Sequence, residues 1–437
     1  PDSASAGDTR GPSASPPTPR GRDGPDSTSS ADTRGPSATP RGRDGPDSAS
    51  AGDTRGPSAS PPTPRGRDGP DSTSSADTRG PSATPRGRDG PDSASAGDTR
   101  GPSASPPTIR HVEIDRDSLA GDETTLREFF GLLVQAHYRT TPSDLHRLLD
   151  APNLNLHALL SGRRVVAATW VAEEGGLPGE MCESIYRGAR IRGHALPETL
   201  VSHLGFQQAG QWAMRRSVRI AVHPDLRRRG LGTRLVEAVH QTYEPDLFGT
   251  LFGATPGLLR FRRSVGYRLL RVGASRGART GEPSVAMVRP VSERASTLLA
   301  RARRELAANL PIQLALMEAE GRPLEPELVD ALTAQLPESD PPGRQRLQQT
   351  VRHYAFGPRT YASAAFAVER FVEENAGALP SLGAQERVLI RSRVLERRSW
   401  EETMEAAATP SWRMTMRGLR HAVRALAEHT GCVDTDT

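Results

Sequence analysis

The stretch RIAVHPDLRRRGLGTRLVEAV, residues 219–239, decides what this sequence predicts about fold and chemistry. Its apolar run from Ile220 to Val222 predicts a buried strand, and a His-Pro turn follows. The segment from Arg227 to Gly232 then opens an amphipathic helix. Glycines at such a turn let backbone N–H groups approach a phosphate, and the helix N-terminus adds about half a positive charge. The stretch therefore predicts a pyrophosphate-binding loop at a strand-to-helix junction.

The segments around this loop alternate between strand-like and helix-like patterns. Two apolar runs flank Ser161, Gly162 and Arg163, which predicts a β-hairpin. Further strands are predicted at 218–222, 247–253, 267–272 and 284–288. Helices are predicted at 230–243 and 256–265. Strands that alternate with helices indicate an α/β unit of roughly 130 residues.

Helical patterns lie on both sides of this α/β unit. Between residues 109 and 149, apolar residues recur at helical spacing, which predicts two helices, the second capped by Ser143 after Pro142. From Ser292 onward the pattern is helical to the C-terminus. Gly and Pro residues predict breaks in that region at 321–323, 337–343, 377–380 and 409–410.

Residues 1–108 form a low-complexity region built from a repeated unit. Residues 1–45 recur as 46–90, and 91–108 begin a third copy. The unit contains no Leu, Ile, Val, Met or aromatic residue, so it has nothing to bury against the entropy cost of ordering. We expect 1–108 to be disordered. The repeat is either a tether or weak RNA-binding tail, or a neutral duplication.

The composition excludes several classes of protein. The 57 Lys and Arg residues are all arginine, so the sequence contains neither a Walker-type phosphate loop nor a Schiff-base lysine. Two cysteines exclude a disulfide framework and an all-cysteine zinc site, and no metal site is predicted. The sequence has no apolar run of about 18 residues and no apolar signal core near residue 1. We therefore expect a soluble, cytoplasmic protein.

Four stretches carry a resemblance to a known family. They are LREFFGLLVQAHYRTTPSDLHRLLDAPN at 126–153, ESIYRGARIRG at 183–193, RIAVHP at 219–224 and FGATPGLLRF at 252–261. The R-x-x-G-x-G segment between a strand-His-Pro turn and a helix resembles the coenzyme A loop of the GNAT acetyltransferases. Together the four stretches are most similar to the branch of TmcA-type tRNA(Met) cytidine acetyltransferases.

This resemblance implies an architecture and an activity. It implies a GNAT core at 156–290, with a mixed sheet flanked by helices, after a helical linker at 109–155. Residues 291–437 would then form an all-α tRNA-binding domain. The implied reaction transfers acetyl from acetyl-CoA to the exocyclic amine of cytidine, which gives N4-acetylcytidine at the wobble position of tRNA(Met).

The sequence departs from the family pattern in two respects. Family members carry an N-terminal helicase-like ATPase module, and ATP is required in the family. Here the repeat occupies that place, so we expect this chain to lack the module and, as one option, to use a separate ATPase chain. Many GNAT proteins also place a tyrosine where this chain has Arg262, and that tyrosine protonates the departing thiolate.

The resemblance implies roles for individual residues. His223 would be the catalytic proton acceptor or relay, because an imidazole titrates near neutral pH. Arg187, Arg190 and Arg192 would bind RNA through their guanidinium groups. The residues implied to bind the coenzyme are Ile220, Ala221, Val222, Arg227, Arg228, Arg229, Gly230, Leu231, Gly232 and Thr233.

Each of these roles has a structural alternative. His223 is either catalytic or a turn residue that braces Pro224. The glycine-containing loop is either a coenzyme site or an ordinary strand-to-helix turn with surface arginines, and the Arg187 cluster is either an RNA contact or a solvated basic face. At the level of the chain, three hypotheses remain: an RNA cytidine acetyltransferase, a GNAT enzyme for a protein or small-molecule amine, and a tRNA-binding fragment without turnover.

Overall fold

The computed structural model describes residues 108–136, 141–276, 281–338 and 340–432. The predicted disorder of the repeat falls on 1–108 and therefore lies, except for Thr108, outside the described residues. The described residues belong to a single compact unit, Ala96–Thr437.

A seven-stranded sheet forms the centre of the first half of this unit. Its strands are β1 (Ile109–Ile114), β2 (Leu154–Ser161), β3 (Arg164–Gly175), β4 (Ala213–Val222), β5 (Leu247–Gly253), β6 (Arg268–Arg276) and β7 (Pro283–Pro290). Their order in the sheet is β1-β2-β3-β4-β5-β7-β6. Strands β4 and β5 run parallel, whereas the other neighbouring pairs are antiparallel. The predicted mixed sheet is therefore confirmed.

Helices cover both faces of the sheet. They are α1 (Arg116–Gly121), α2 (Glu123–Ala136), α3 (Pro142–Asp150), α4 (Gly179–Tyr186), α5 (Ala195–Glu198), α6 (Leu231–Thr242) and α7 (Pro256–Ser264). Leu133 of α2 packs in one core with Trp170 of β3. The adjacent Val171 points to the opposite core, with Val236 of α6. Strand β3 is therefore buried on both faces, as its nearly continuous apolar sequence predicts.

The second half of the unit is helical, as predicted. Its helices are α8 (Glu293–Ala319), α9 (Pro326–Thr333), α10 (Arg344–Phe356), α11 (Tyr361–Glu374), α12 (Ala384–Leu389), α13 (Trp400–Ala406) and α14 (Trp412–His429). Helices α10, α11 and α14 share a core that includes Tyr354, Val368 and Leu419. Helix α8 connects this core to the sheet. Its Ile312 and Leu316 belong to the helical core, whereas its Leu306 and Leu310 belong to the core that contains Val236.

Three sequence predictions about local structure are wrong. Residues 109–114 form an edge strand paired with β2 rather than part of a helix, because pairing in the sheet overrides local spacing. Helix α3 begins after Thr141, whose N–H donates to Asp144 Oδ2 at 2.8 Å, and not at Ser143. Strand β4 begins at Ala213 rather than 218, because Arg215 pairs across the strands with Glu173 on β3.

A buried ion pair fastens the helical half to the α/β half. Glu305 of α8 is 9% exposed and accepts hydrogen bonds from Arg346 of α10 and from Arg359, the latter at 3.0 Å. Both arginines also donate to the carbonyl oxygen of Leu204, in the segment between β3 and β4, at 2.7 and 3.2 Å. One carboxylate thus holds α8, α10 and that segment together.

We predict that Glu305→Gln destabilises the protein strongly. The substitution removes the negative charge and leaves two largely buried guanidinium groups, on Arg346 and Arg359, without compensation, which costs about 3–5 kcal/mol. Urea denaturation measures the free energy of unfolding. The control is Glu373→Gln, since Glu373 pairs with Arg370 at an exposed site and its loss costs less than about 1 kcal/mol. Equal losses in the two variants would contradict this role of Glu305.

Candidate active site

Strands β4 and β5 pair along only the first part of their length. The parallel ladder runs from Met214 beside Leu247 to Ser217 beside Thr250, and there it ends. At the same level β4 contains one extra residue, Val218, in its pairing with β3. A bulge of this kind bends a strand. Because β5 continues along β7 while β4 continues along β3, a gap opens between the two strands, which we call the β4–β5 gap.

Backbone groups of β4 face the β4–β5 gap. The His223 N–H donates to the Val166 carbonyl of β3 at 2.9 Å. Antiparallel neighbours exchange hydrogen bonds at every second residue, so Ala221 also faces β3. Ile220 and Val222 instead direct their N–H and C=O groups into the gap. Of the three strand residues predicted to bind the coenzyme, Ala221 therefore directs its backbone groups to β3. The backbone groups of Ile220 and Val222 remain available to pair with a ligand.

The loop between β4 and α6 exposes backbone N–H groups. Arg228 has φ of 61° and Gly230 has φ of 79°, both in the left-handed region that a bulky side chain rarely adopts. Gly230 is the N-cap of α6, no side chain caps the helix, and its first turn contains no acidic residue. The first-turn N–H groups of Leu231, Gly232 and Thr233 point out of the helix end, where the helix dipole favours an anion.

Charge and close packing complete this loop. Arg227, Arg228 and Arg229 are exposed, and none of them forms an ion pair with another described residue. Arg227 Nε lies 3.4 Å from the Val222 carbonyl oxygen, so its side chain folds back along β4. A Cβ on Gly232 would lie 3.4 Å from the ring of Phe261 in α7, at van der Waals distance, so α6 and α7 pack closely at this glycine. The arrangement suits a phosphate-bearing ligand.

Arg262 of α7 is buried at the inner end of the β4–β5 gap. It is 5% exposed, and its Nη2 donates to Ser217 Oγ at 3.1 Å. Thr250 Oγ1 donates to the Ser217 carbonyl at 3.2 Å, so the guanidinium lies at the last rung of the ladder. Its Nη1 has no hydrogen-bond partner. Burial lowers the pKa of Arg262, and no carboxylate among the described residues pairs with it.

His223 follows β4 directly and is partly exposed. Its side chain is 40% exposed, and its Nδ1 lies 3.9 Å from Asp225 Oδ2. That nitrogen is buried and has no hydrogen-bond partner among the described residues. His223 thus follows Val222 directly along the chain, and its Nδ1 makes no hydrogen bond within the described part of the chain that would brace the turn.

The arginines predicted to contact RNA lie in the segment between β3 and β4, away from the loop. Arg187, Arg190 and Arg192 are exposed, and Arg187 pairs with Glu183 at 2.5 Å. Arg215 and Arg216, at the start of β4, are instead paired within the sheet. Arg215 pairs with Glu173 at 2.7 Å, and Arg216 pairs with Glu174 at 2.5 Å in a nearly buried site, so both arginines stabilise the sheet.

Comparison with known proteins assigns this architecture. The family model described as GNAT acetyltransferase 2 matches residues 128–248, which include the gap-facing half of β4 and the whole loop. A tRNA(Met) cytidine acetyltransferase TmcA of Nitrosococcus halophilus is 38% identical over 329 residues, which are 73% of this chain and 43% of that protein. The chain therefore contains a GNAT acetyltransferase domain, and it is similar in sequence to TmcA proteins.

Another relative is similar to a shorter part of the chain. TmcA of Haloarcula marismortui is 43% identical over 197 residues, which are 45% of this chain and 25% of that protein. The chain thus spans less than half the length of these curated relatives. Among solved structures, a polyamine N-acetyltransferase of Drosophila melanogaster has a TM-score of 0.31 and 18% identity, covering 42% of this chain and 100% of that chain.

Sequence reasoning missed two features of this GNAT site. The β4–β5 gap depends on pairing between distant strands, and the single extra residue Val218 carries no local signal of it. The burial of Arg262 is equally hidden, because arginine is ordinarily exposed. The resemblance did mark Arg262 as an unusual residue at its position, although without indicating its surroundings.

We predict that Gly230→Asp and Gly232→Asp each abolish the binding of coenzyme A to the GNAT domain. Each substitution places a carboxylate at an anion-binding helix end, and at Gly230 a side chain must also adopt φ of 79°. Titration calorimetry measures the affinity. Gly162→Asp, in the β2–β3 hairpin turn with open space around it, adds the same charge elsewhere and should leave the affinity unchanged. Unchanged affinity in both loop variants would remove the loop from the coenzyme site.

Proposed function

We propose that this chain transfers an acetyl group from acetyl-CoA to the exocyclic amine of a cytidine in tRNA. The observation that carries the proposal is the uncapped N-terminus of α6 at the end of a strand whose outer edge is unpaired. The relatives named as tRNA(Met) cytidine acetyltransferases support the choice of acceptor. Their name further suggests N4-acetylcytidine at the wobble position of tRNA(Met) as the product.

The residues of the site fit acetyl-CoA. The N–H groups of Leu231, Gly232 and Thr233, with Arg227 to Arg229 around them, match a doubly charged pyrophosphate. The gap-facing amides of Ile220 and Val222 match a pantetheine arm, which carries peptide-like groups and would add to β4 as a strand does. When bound, the coenzyme supplies the acetyl group as a thioester.

The surrounding residues have definite tasks in such a transfer. The exocyclic amine of cytosine is delocalised into the ring and is a poor nucleophile, so positioning and stabilisation of developing charge matter most. The Val222 N–H faces the gap and would polarise the acyl carbonyl. The neighbouring His223 would accept the proton that the amine loses as the new N–C bond forms. In the same transfer the C–S bond of the thioester breaks, and its electron pair leaves on the coenzyme sulfur.

The Arg262 guanidinium provides a fixed positive charge at the inner end of the gap. A buried cation without a carboxylate partner is costly to the folded protein. Its cost is understandable if Nη1 faces negative charge that develops during transfer. We therefore assign Arg262 to stabilising that charge, in the position where the resemblance places a tyrosine in many GNAT proteins.

RNA and ATP enter the proposal on different grounds. Arg187, Arg190 and Arg192 are exposed and would contact the RNA backbone. The lysine-free sequence has no Walker loop, so any ATPase that assists the reaction would be supplied from outside residues 1–437, by a separate chain or module.

We predict that Arg262→Met separates stability from activity. Replacing an unpaired buried charge with an apolar side chain of similar length should leave the free energy of unfolding unchanged or higher. Acetyl transfer to tRNA should fall by about 100-fold, because charge stabilisation of this kind contributes on the order of 100- to 1000-fold.

The matched control for this variant is Arg263→Met. Arg263 is the next residue of α7 and is exposed, and its guanidinium donates to the Ala334 carbonyl at 3.2 Å. Denaturation curves and initial rates are measured for both variants at saturating coenzyme. A full rate in Arg262→Met would contradict the role of this guanidinium, and an equal rate loss in Arg263→Met would show that disturbance of α7 is the cause.

A further inference from the structure

A groove runs between the segment that joins β3 to β4, the start of α8, and α10. It encloses about 1230 Å³ and adjoins a second cleft of about 310 Å³, with which it shares Arg301 and Arg346. Seven arginines and two glutamates line the two clefts. We call this surface the arginine groove and define it by its exposed cations, Arg187, Arg294, Arg301, Arg304 and Arg344.

Several of these cations are not neutralised. Arg301 and Arg304 of α8 and Arg344 at the start of α10 are exposed, and none of them forms an ion pair within the described part of the chain. Arg294 and Arg301 lie seven residues apart, so they occupy the same face of α8 about two turns apart. Because Arg294 is paired with Asp246, the uncompensated positive charge along the groove is that of Arg301, Arg304 and Arg344.

Aromatic rings lie under and between these guanidinium groups. Arg346 lies over the Phe206 ring at 4.1 Å and Arg301 over the same ring at 6.0 Å. Arg294 lies over the Trp212 ring at 5.2 Å. Phe356, at the end of α10, lines the groove with 40% of its surface exposed. Guanidinium planes and exposed rings are the surfaces on which unstacked bases stack.

The walls of the groove are fixed to each other. Arg346 donates to the Leu204 carbonyl at 2.7 Å, which ties α10 to the segment before β4. His353 of α10 stacks on Tyr186 of α4 at 4.3 Å and its Nε2 donates to the Tyr186 carbonyl at 3.2 Å. Burial lowers the pKa of His353 to about 3, so this contact persists as a neutral one at physiological pH. The groove is thus preformed.

We propose that the arginine groove binds RNA, with phosphates on Arg301, Arg304 and Arg344 and a base on Phe356. The inference rests on the proposed function and extends it to a surface that the GNAT loop does not include. Trp212 directly precedes β4, and Asp246, which binds Arg294 through two hydrogen bonds of 2.6 Å, directly precedes β5. The groove therefore lies toward the opposite end of these strands from the coenzyme loop, so RNA and coenzyme would approach from different sides.

The test measures the binding of an unmodified tRNA(Met) transcript to the full chain across a series of salt concentrations. In Arg301→Ala/Arg304→Ala/Arg344→Ala the log–log salt slope should flatten by about two to three units, and affinity near 0.1 M salt should fall on the order of 100-fold. The control, Arg127→Ala/Arg163→Ala/Arg164→Ala, removes the same charge from exposed sites elsewhere. Its slope should stay close to that of the unchanged chain.

A second variant separates stacking from charge. Phe356→Ala should lower affinity about tenfold at every salt concentration and leave the slope unchanged, because stacking releases no counterions. Coenzyme A affinity, measured by calorimetry on each variant, should stay constant and report that the GNAT domain is folded.

Three other results would contradict the RNA-binding role of the groove, and one of them would also contradict the proposed function. If the unchanged chain binds tRNA and both arginine variants lose equal affinity, the groove is not the RNA site, although the proposed function stands. If the unchanged chain binds coenzyme A but no tRNA, the proposed function and the groove fall together. If the groove variant loses binding of a polyglutamate peptide while its tRNA binding is unchanged, the groove serves an acidic protein instead.

Discussion

The separation of β4 from β5 after the Ser217–Thr250 pair is the constraint on which the candidate site depends. The extra residue Val218 bends β4 toward β3, and β5 follows β7, so each strand is held by its other neighbour. The exposed backbone edge would otherwise be closed by one more hydrogen-bonded pair. Because it is open, β4 presents gap-facing amides that lead directly to the uncapped N-terminus of α6.

The same geometry explains why Arg262 is tolerated in the core. Its Nη2 is satisfied by Ser217 at the last rung of the ladder, and its Nη1 stays unpaired where the strands begin to diverge. Stability alone would favour an apolar residue at this position. A buried cation that costs stability beside the last paired residue of β4 is consistent with the role that we propose for it, the stabilisation of charge that appears only during reaction.

The helical half is bound to the GNAT domain through polar contacts that are themselves buried. Glu305 joins Arg346 and Arg359, and both arginines reach the Leu204 carbonyl in the segment before β4. That segment also supplies Phe206 and Trp212 to the arginine groove. One charged cluster therefore fixes the groove walls at the amino ends of β4 and β5, while the loop that we propose for the coenzyme lies at the carboxyl end of β4.

Local pattern predicted much of this molecule. Strand β5 has the bounds that its apolar run predicts, and α6 differs from its prediction by one residue at each end. In both elements the spacing of the apolar residues matches the spacing of the buried positions. The start of β4 was not predicted because it contains two charged residues, Arg215 and Arg216. Both are paired with glutamates of β3, which the local sequence does not indicate. The gap and the groove could not be predicted, since both depend on residues that are distant in sequence. For example, Arg187 and Arg352 both line the arginine groove, and they come together only when the helical half packs on the GNAT domain.

The most direct test of the central claim is mass spectrometry of the nucleosides from tRNA(Met) incubated with the full chain and acetyl-CoA, with and without ATP and a separate ATPase. We expect N4-acetylcytidine in at least one of these reactions and none in the matched reaction with Gly230→Asp. Absence of acetylated cytidine under all conditions, with coenzyme and tRNA both shown to bind, would contradict the claim that this chain acetylates RNA.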